Sequence, residues 1–149
     1  MTDAETQSMI LWMGMLGGVI NTSDLFHDIP KYKLDLFRFI EPSSTKLTST
    51  LPFINKNEKF DVLVREYPAE KSYAVLFVNR NEEKKSSDFS VQQLIGVTSS
   101  TCFDWSFNGA KNLGIQSIIT IELNAHESKL LYFSVDGKSP GNMTLGGKL

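Results

Sequence analysis

The sequence has one cysteine, Cys102, in 149 residues. That count excludes an internal disulfide framework and a cysteine-rich zinc site. Histidine is almost as scarce. His27 and His126 stand 99 residues apart, and a metal centre needs several convergent ligands. Positive charge is not in excess: 15 Lys and Arg against 17 Asp and Glu leave a net charge of −2. Without clustered Lys and Arg there is no stripe to meet a phosphate backbone, so a dedicated nucleic-acid surface is not expected. Long apolar runs are missing too. The longest, residues 9–20, is twelve residues and contains Gly14, Gly17 and Gly18, whereas a membrane-spanning helix needs roughly 20. Residues 1–8 carry Asp3 and Glu5 and no Lys or Arg, unlike the basic leader of a secretory signal. These absences lead us to expect a cytoplasmic setting with a reduced thiol, no cofactor, no metal, no nucleic acid and no membrane.

The residues that are present have the balance of a globular chain, 41% apolar and 21% charged. Such a length buries roughly 70% of its unfolded surface, enough for one core. Along the chain the apolar period changes. In residues 1–41, Thr2 or Asp3 can cap a helix, with Glu5 near the positive end of its dipole. Nearly every position from 9 to 16 is apolar, so that helix is expected to be covered on most sides. Gly17-Gly18 stops it, and the β-branched Val19-Ile20 suit a short strand. A second helix is expected from about Pro30, with Leu34, Phe37 and Ile40 on one face. Residues 42–58, rich in Ser, Thr, Asn and Pro, read as a linker.

From residue 59 the period becomes two. Phe60, Val62 and Val64 alternate with Asp61, Leu63 and Arg65, and residues 73–78 form a short apolar run. Further strands are expected at 89–95, 102–107, 115–123 and 129–135, with a turn at Asn108-Gly109. The pattern predicts an antiparallel β-sandwich over residues 59–136. Val62, Val64, Val75, Phe77, Ile119, Ile121, Leu130 and Tyr132 are expected among its inward residues or at its sheet interface, and Trp105 is expected to be buried. Residues 137–149, rich in Gly, Ser, Pro and Lys, read as a flexible tail. The fold class is therefore mainly β, α+β overall, with a helix–short strand–helix segment in front of the sandwich.

Four stretches in order give the sequence a resemblance. Residues 2–24, TDAETQSMILWMGMLGGVINTSD, join an acidic, polar helix start, a Trp-bearing apolar helix, a small-residue turn, a short strand and Ser23-Asp24-Leu25. Residues 61–80, DVLVREYPAEKSYAVLFVNR, form an Arg-bearing strand, a turn and an apolar strand ending Asn-Arg. FDWSFNGAKN at 103–112 supplies a Trp strand and a Gly turn, and LNAHESKLLYF at 123–133 a closing hairpin with His in its turn. This order resembles the carboxyl end of the α-galactosidase (melibiase-like) retaining glycoside hydrolases, a (β/α)8 barrel followed by an antiparallel β-sandwich. The resemblance implies that residues 1–41 correspond to the last barrel segment. It also implies that the parent reaction is a double displacement by two Asp residues, both upstream of anything present here. No residue of this chain aligns with either, so the resemblance implies a carboxyl-terminal fragment or a truncated relative of such an enzyme, no catalytic residue is assigned and the chain alone is expected to be inactive.

Asp24 then has the best positional claim to a substrate contact, at the carboxyl end of the last barrel strand. The competing role is closure of the Ser-Asp turn. His27-Asp28 read as solvated loop residues, Cys102 as a structural thiol, Gly17-Gly18 as a helix stop and Glu82-Glu83-Lys84-Lys85 as a hairpin tip. Trp12, Trp105, Phe103 and Phe107 can stack on sugar rings or fill a core. Two other functions stay open, a carbohydrate-binding sandwich module and a structural or oligomerisation domain. A carbohydrate is the expected small ligand. A homo-oligomer is expected through residues 9–20, whose apolar residues go round the helix.

Overall fold

The structure is a computed structural model that describes residues 2–16, 30–41, 49–53, 57 and 59–147. Helix α1 spans Asp3–Leu16 and helix α2 Lys31–Ile40. Thr2 caps α1 reciprocally. The Glu5 amide donates to Thr2 Oγ1 at 3.2 Å and the Thr2 amide to Glu5 Oε2 at 2.7 Å. That backbone bond holds the Glu5 carboxyl below its usual range. In α2, Leu36, Phe39 and Ile40 are the buried residues, while Leu34 and Phe37 are half-buried. The face is thus rotated from the expected Leu34–Phe37–Ile40 stripe. Contact with α1 sets it: a Cβ built on Gly14 would lie 2.6 Å from Ile40 Cγ2, so the two helices touch where Gly14 has no side chain.

Among the described residues eight strands follow: β1 Ser49–Thr50, β2 Asp61–Tyr67, β3 Ser72–Val78, β4 Lys85–Ser90, β5 Ser100–Ser106, β6 Gly109–Gln116, β7 Ile118–Leu123 and β8 Ser128–Ser134. They form a six-stranded sheet, β1-β2-β3-β8-β5-β6, and a two-stranded sheet, β4-β7, every pair antiparallel. The expected mainly β, sandwich-like fold is what the chain adopts. A third layer adds to it, because α1 and α2 cover the outer face of the large sheet.

Two cores follow from this layering. Val62, Val64, Val75, Phe77, Leu131 and Phe133 face the small sheet's Phe89, Ile119, Ile121 and Leu123. Leu63, Tyr67, Leu76, Leu130, Tyr132, Phe103 and Trp105 face the helices. All eight residues expected inward are buried, but Leu130 and Tyr132 pack against helices instead of between sheets. Period-two alternation separates the faces without saying what covers each one. Because β2, β3 and β8 are covered on both sides, β3 reads as a nearly continuous apolar run.

Three expectations are corrected. The strand at 89–95 stops at Ser90, and Val91–Ile95 forms a short helix, α3. Ser90 Oγ accepts from the Gln93 amide at 3.1 Å, Gln93 Oε1 accepts from the Ser90 amide at 3.3 Å, and Gly96 closes the helix at φ 81°. The strand at 115–123 is two strands. Residues 115 and 116 end β6 in the large sheet, and β7 begins at Ile118 in the small one. Within the segment read as a flexible tail, Met143 and Leu145 are buried in the helix-side core. In addition, Ser49-Thr50, within the segment read as a linker, pairs with Arg65 and Val64. No helix among the described residues is long and apolar enough to cross a membrane.

Candidate functional site

Asp24, the residue with the best sequence claim to a substrate contact, lies outside the described residues, as do Gly17-Gly18, Val19-Ile20, His27 and Asp28. His126 sits in the turn between β7 and β8 with its Nε2 3.1 Å from Glu82 Oε2. Among the described residues no group of three or more His, Cys, Asp or Glu could hold a metal. Cys102 is fully buried between the sheets. Burial, helped by nearby Asp104, pushes its thiol up to about 12, so it stays protonated and unreactive at neutral pH.

The four aromatics divide by depth. Trp105 is 3% exposed and meets Phe39 and Tyr132 edge-to-face at centroid distances of 5.0 and 5.1 Å. Phe103 is also buried. Trp12 and Phe107 are only half-buried against the same core, which leaves them the two of the four with ring surface near solvent.

Phe107 borders a cleft. It holds about 600 Å3 between α2, the β5–β6 turn and the carboxyl-terminal segment. Each wall has a local cause. Lys31, Asp35 and Arg38 fall on one face of α2 by helical spacing, and Asp35 bonds Lys31 Nζ at 2.6 Å with Arg38 Nη1 3.9 Å away. The second wall is the Phe107-Asn108 turn, which closes on Gly109 at φ 130°, a backbone conformation that favours glycine. The third wall is residues 141–144. It is held by the Leu145 amide on Phe39 O at 2.8 Å, the Met143 amide on Pro140 O at 3.0 Å, and the Thr144 hydroxyl on Glu41 O. A smaller hollow of about 200 Å3 shares Phe39, Trp105, Ser106 and Phe107 and adds Gln7 and the Lys129–Asp104 pair, 2.7 Å apart.

Among the described residues, Asp35 is the one carboxylate lining this cleft. A single ion-paired carboxylate cannot serve as both nucleophile and acid of a retaining glycosidase, which needs two about 5–5.5 Å apart. Sequence reasoning missed this site. The Lys31–Asp35–Arg38 spacing was visible, but the contact of residues 141–144 with α2 is set by packing remote in sequence.

Beneath the tail lies a second feature, Arg65, which is 1% exposed. Its Nη2 donates to Met15 O at 2.6 Å, Nη1 to Leu145 O at 3.0 Å and Nε to Ser49 Oγ at 3.3 Å. Tyr67 also donates to Leu145 O, at 2.7 Å. Met15 O belongs to the last turn of α1, where the helix dipole favours a cation. Burial lowers the Arg65 guanidinium from its usual range and raises the Tyr67 phenol. One side chain thus ties α1, β1, β2 and the tail together.

No protein-family model matches the sequence, and no curated protein matches it. Solved structures do match in fold. A protein proposed to be an α-N-acetylgalactosaminidase from Bacillus halodurans C-125 aligns at TM-score 0.77 and 16% identity, over 90% of this chain and 32% of its own. A GH27 β-L-arabinopyranosidase from Geobacillus stearothermophilus aligns at 0.74 and 17%, over 89% and 30%. α-Galactosidase I from Mortierella vinacea aligns at 0.72 and 15%, over 91% and 37%. The chain therefore spans about a third of the length of these enzymes and shares the fold of that portion.

Proposed function

We propose that this chain is the carboxyl-terminal part of an α-galactosidase-type retaining glycoside hydrolase, the last barrel segment and its β-sandwich, without hydrolytic activity of its own. The observation that carries this reading is the fold match over about nine-tenths of the chain to about a third of such enzymes. Arg65 supports it, since a buried guanidinium fastens the end of α1 to the sandwich sheet. In that role the sandwich braces the barrel, and Asp24 lies at the substrate end of the last barrel strand. The sugar cleaved by the whole enzyme is left open by neighbours with different activities. A cytoplasmic setting is proposed from the lone thiol. Incubation with a nitrophenyl α-galactoside is expected to give no release above a protein-free blank, and the reading frame upstream of the first codon is expected to encode barrel strands. Turnover by this chain, or an unrelated upstream frame, would overturn the reading.

A second reading, a carbohydrate-binding module, is favoured by one observation, the cleft beside Phe107. Self-association through residues 9–20 is proposed in addition.

A further inference from the structure

We propose that the cleft between α2, the β5–β6 turn and residues 141–144 is a binding site for a neutral saccharide. The proposal rests on the carbohydrate-binding reading and is independent of whether the chain belongs to a hydrolase.

The cleft's size fits a small ligand, since about 600 Å3 lies within the ~300–1,000 Å3 usual for such sites. Its lining combines two surfaces that a sugar ring demands together. The half-buried Phe107 supplies an apolar side for the ring's C–H face, backed by the buried Phe39, Trp105 and Met143, which reach the cleft only with their edges. Asp35, Arg38 and the exposed carboxamides of Asn108 and Asn142 supply planar donors and acceptors for adjacent hydroxyls.

Charge selects among ligand classes. Lys31 and Arg38 flank Asp35, which bonds Lys31 Nζ at 2.6 Å and lies 3.9 Å from Arg38 Nη1, so one carboxylate sits between two solvent-exposed cations and the wall keeps a single net positive charge. A phosphate would be drawn by the one net positive charge but would meet the Asp35 carboxylate set between the two cations, whereas hydroxyls can both donate to that carboxylate and accept from the guanidinium. A wholly apolar ligand would strip water from four polar side chains without replacing their hydrogen bonds. The cleft is also open to solvent on one side, so it cannot enclose its ligand, and millimolar affinity is expected.

The test is a titration of the full 15N-labelled chain with melibiose, galactose and glucose, followed by amide chemical shifts. Saturable changes confined to residues 31–39, 106–109 and 141–144 are expected, and inorganic phosphate at equal concentration is expected to cause none there. Phe107→Ala and Asp35→Asn should each weaken binding about fivefold or more, the effect of losing roughly one good contact. Asn108→Ala and Asn142→Ala alter exposed side chains only, and the pair should weaken binding without changing the thermal midpoint. Saturable shifts elsewhere, shifts that never saturate, equal binding by the asparagine variants, or displacement of sugar by phosphate would each overturn the proposal. Absence of sugar binding would leave the hydrolase reading standing, because that reading is tested by turnover and by the upstream frame.

Discussion

A guanidinium that is 1% exposed and bonded to two main-chain carbonyls and a serine hydroxyl makes residue 65 a point of leverage. Removing it leaves Met15 O without this donor, while Leu145 O keeps Tyr67. An abandoned buried acceptor costs about 1–3 kcal/mol, and the side chain's lost packing adds to that. Arg65→Ala is therefore expected to lower unfolding free energy by about 3 kcal/mol or more in urea melts. Arg65→Lys should recover only part, because one ammonium cannot span acceptors that a planar fork reaches together. Cys102 gives a prediction of opposite kind, one of pH. Its thiol is raised to about 12 in the fold and ionises near 8.5 when unfolded. Protons are then held more tightly by the folded chain. Stability from this source is complete below about pH 8.5 and is lost as pH rises toward the folded value. The difference in urea midpoint between wild type and Cys102→Ala should be constant at neutral pH and shrink above about pH 9, as the wild type loses stability faster. A difference that stays flat to about pH 10.5 would contradict a buried, protonated thiol.

Among the elements, the contact of α1 with α2 turns on one missing methyl group. In an exposed helix, Gly to Ala gains about 1 kcal/mol from backbone entropy and propensity. Here the new Cβ would lie 2.6 Å from Ile40 Cγ2 and 2.8 Å from its Cβ. Ile40 is β-branched, stiff at χ1 and 3% exposed, so it cannot step aside. Overpacking costs about 1–3 kcal/mol and should win, making Gly14→Ala destabilising in thermal melts. Moving the branch away with Ile40→Leu should restore much of the loss in the double variant. Such contacts also show why the elements were unequally legible in the sequence. The run at 73–78 revealed β3 because burial on both faces leaves an apolar string that needs no partner to interpret. Residues 89–95 misled because Phe89 and Val91 alternate as in a strand, although Val91, Leu94 and Ile95 already stand at the i, i+3, i+4 spacing of the short helix they form. The signal lay in Ser90 and Gln93, a spacing that caps a helix. Ser90→Ala should cost about 1 kcal/mol, read by denaturant melts. Met143 and Leu145 sat in a polar, glycine-rich context, and only Phe39, Arg65 and Tyr67, 78 or more residues away, make them core. The third wall of the cleft was invisible for the same reason, although its α2 wall could be read from the Lys31–Asp35–Arg38 spacing.

At the scale of the whole molecule, the apolar helix at the start decides how copies of the chain meet. Its sequence places apolar residues all round, and a sandwich surface alone could cover only one side. The fold covers more than that, since α2, the large sheet and Trp105's neighbours enclose Ile10, Leu11 and Met15. Left over are Met9 at 44% and Leu16 at 56% exposure, with Trp12 and Met13 half-buried beside them. Completing the burial of large apolar side chains contributes at most ~1.5–3 kcal/mol each, and these are already partly covered. Association itself costs about 4–15 kcal/mol. A symmetric contact doubles the count of side chains, which brings the two magnitudes close and predicts weak pairing. The weight-average mass by light scattering should therefore rise from near 16.7 kDa with increasing concentration, with no stable dimer at the lowest concentrations. Met9→Ser combined with Leu16→Ser should hold the mass at the monomer value. Ile115 and Ile118, 74% and 62% exposed near the crossing between sheets, offer the competing surface. A mass that never rises, or a rise abolished by Ile115→Ser and Ile118→Ser but not by the helix variant, would remove residues 9–20 from the interface.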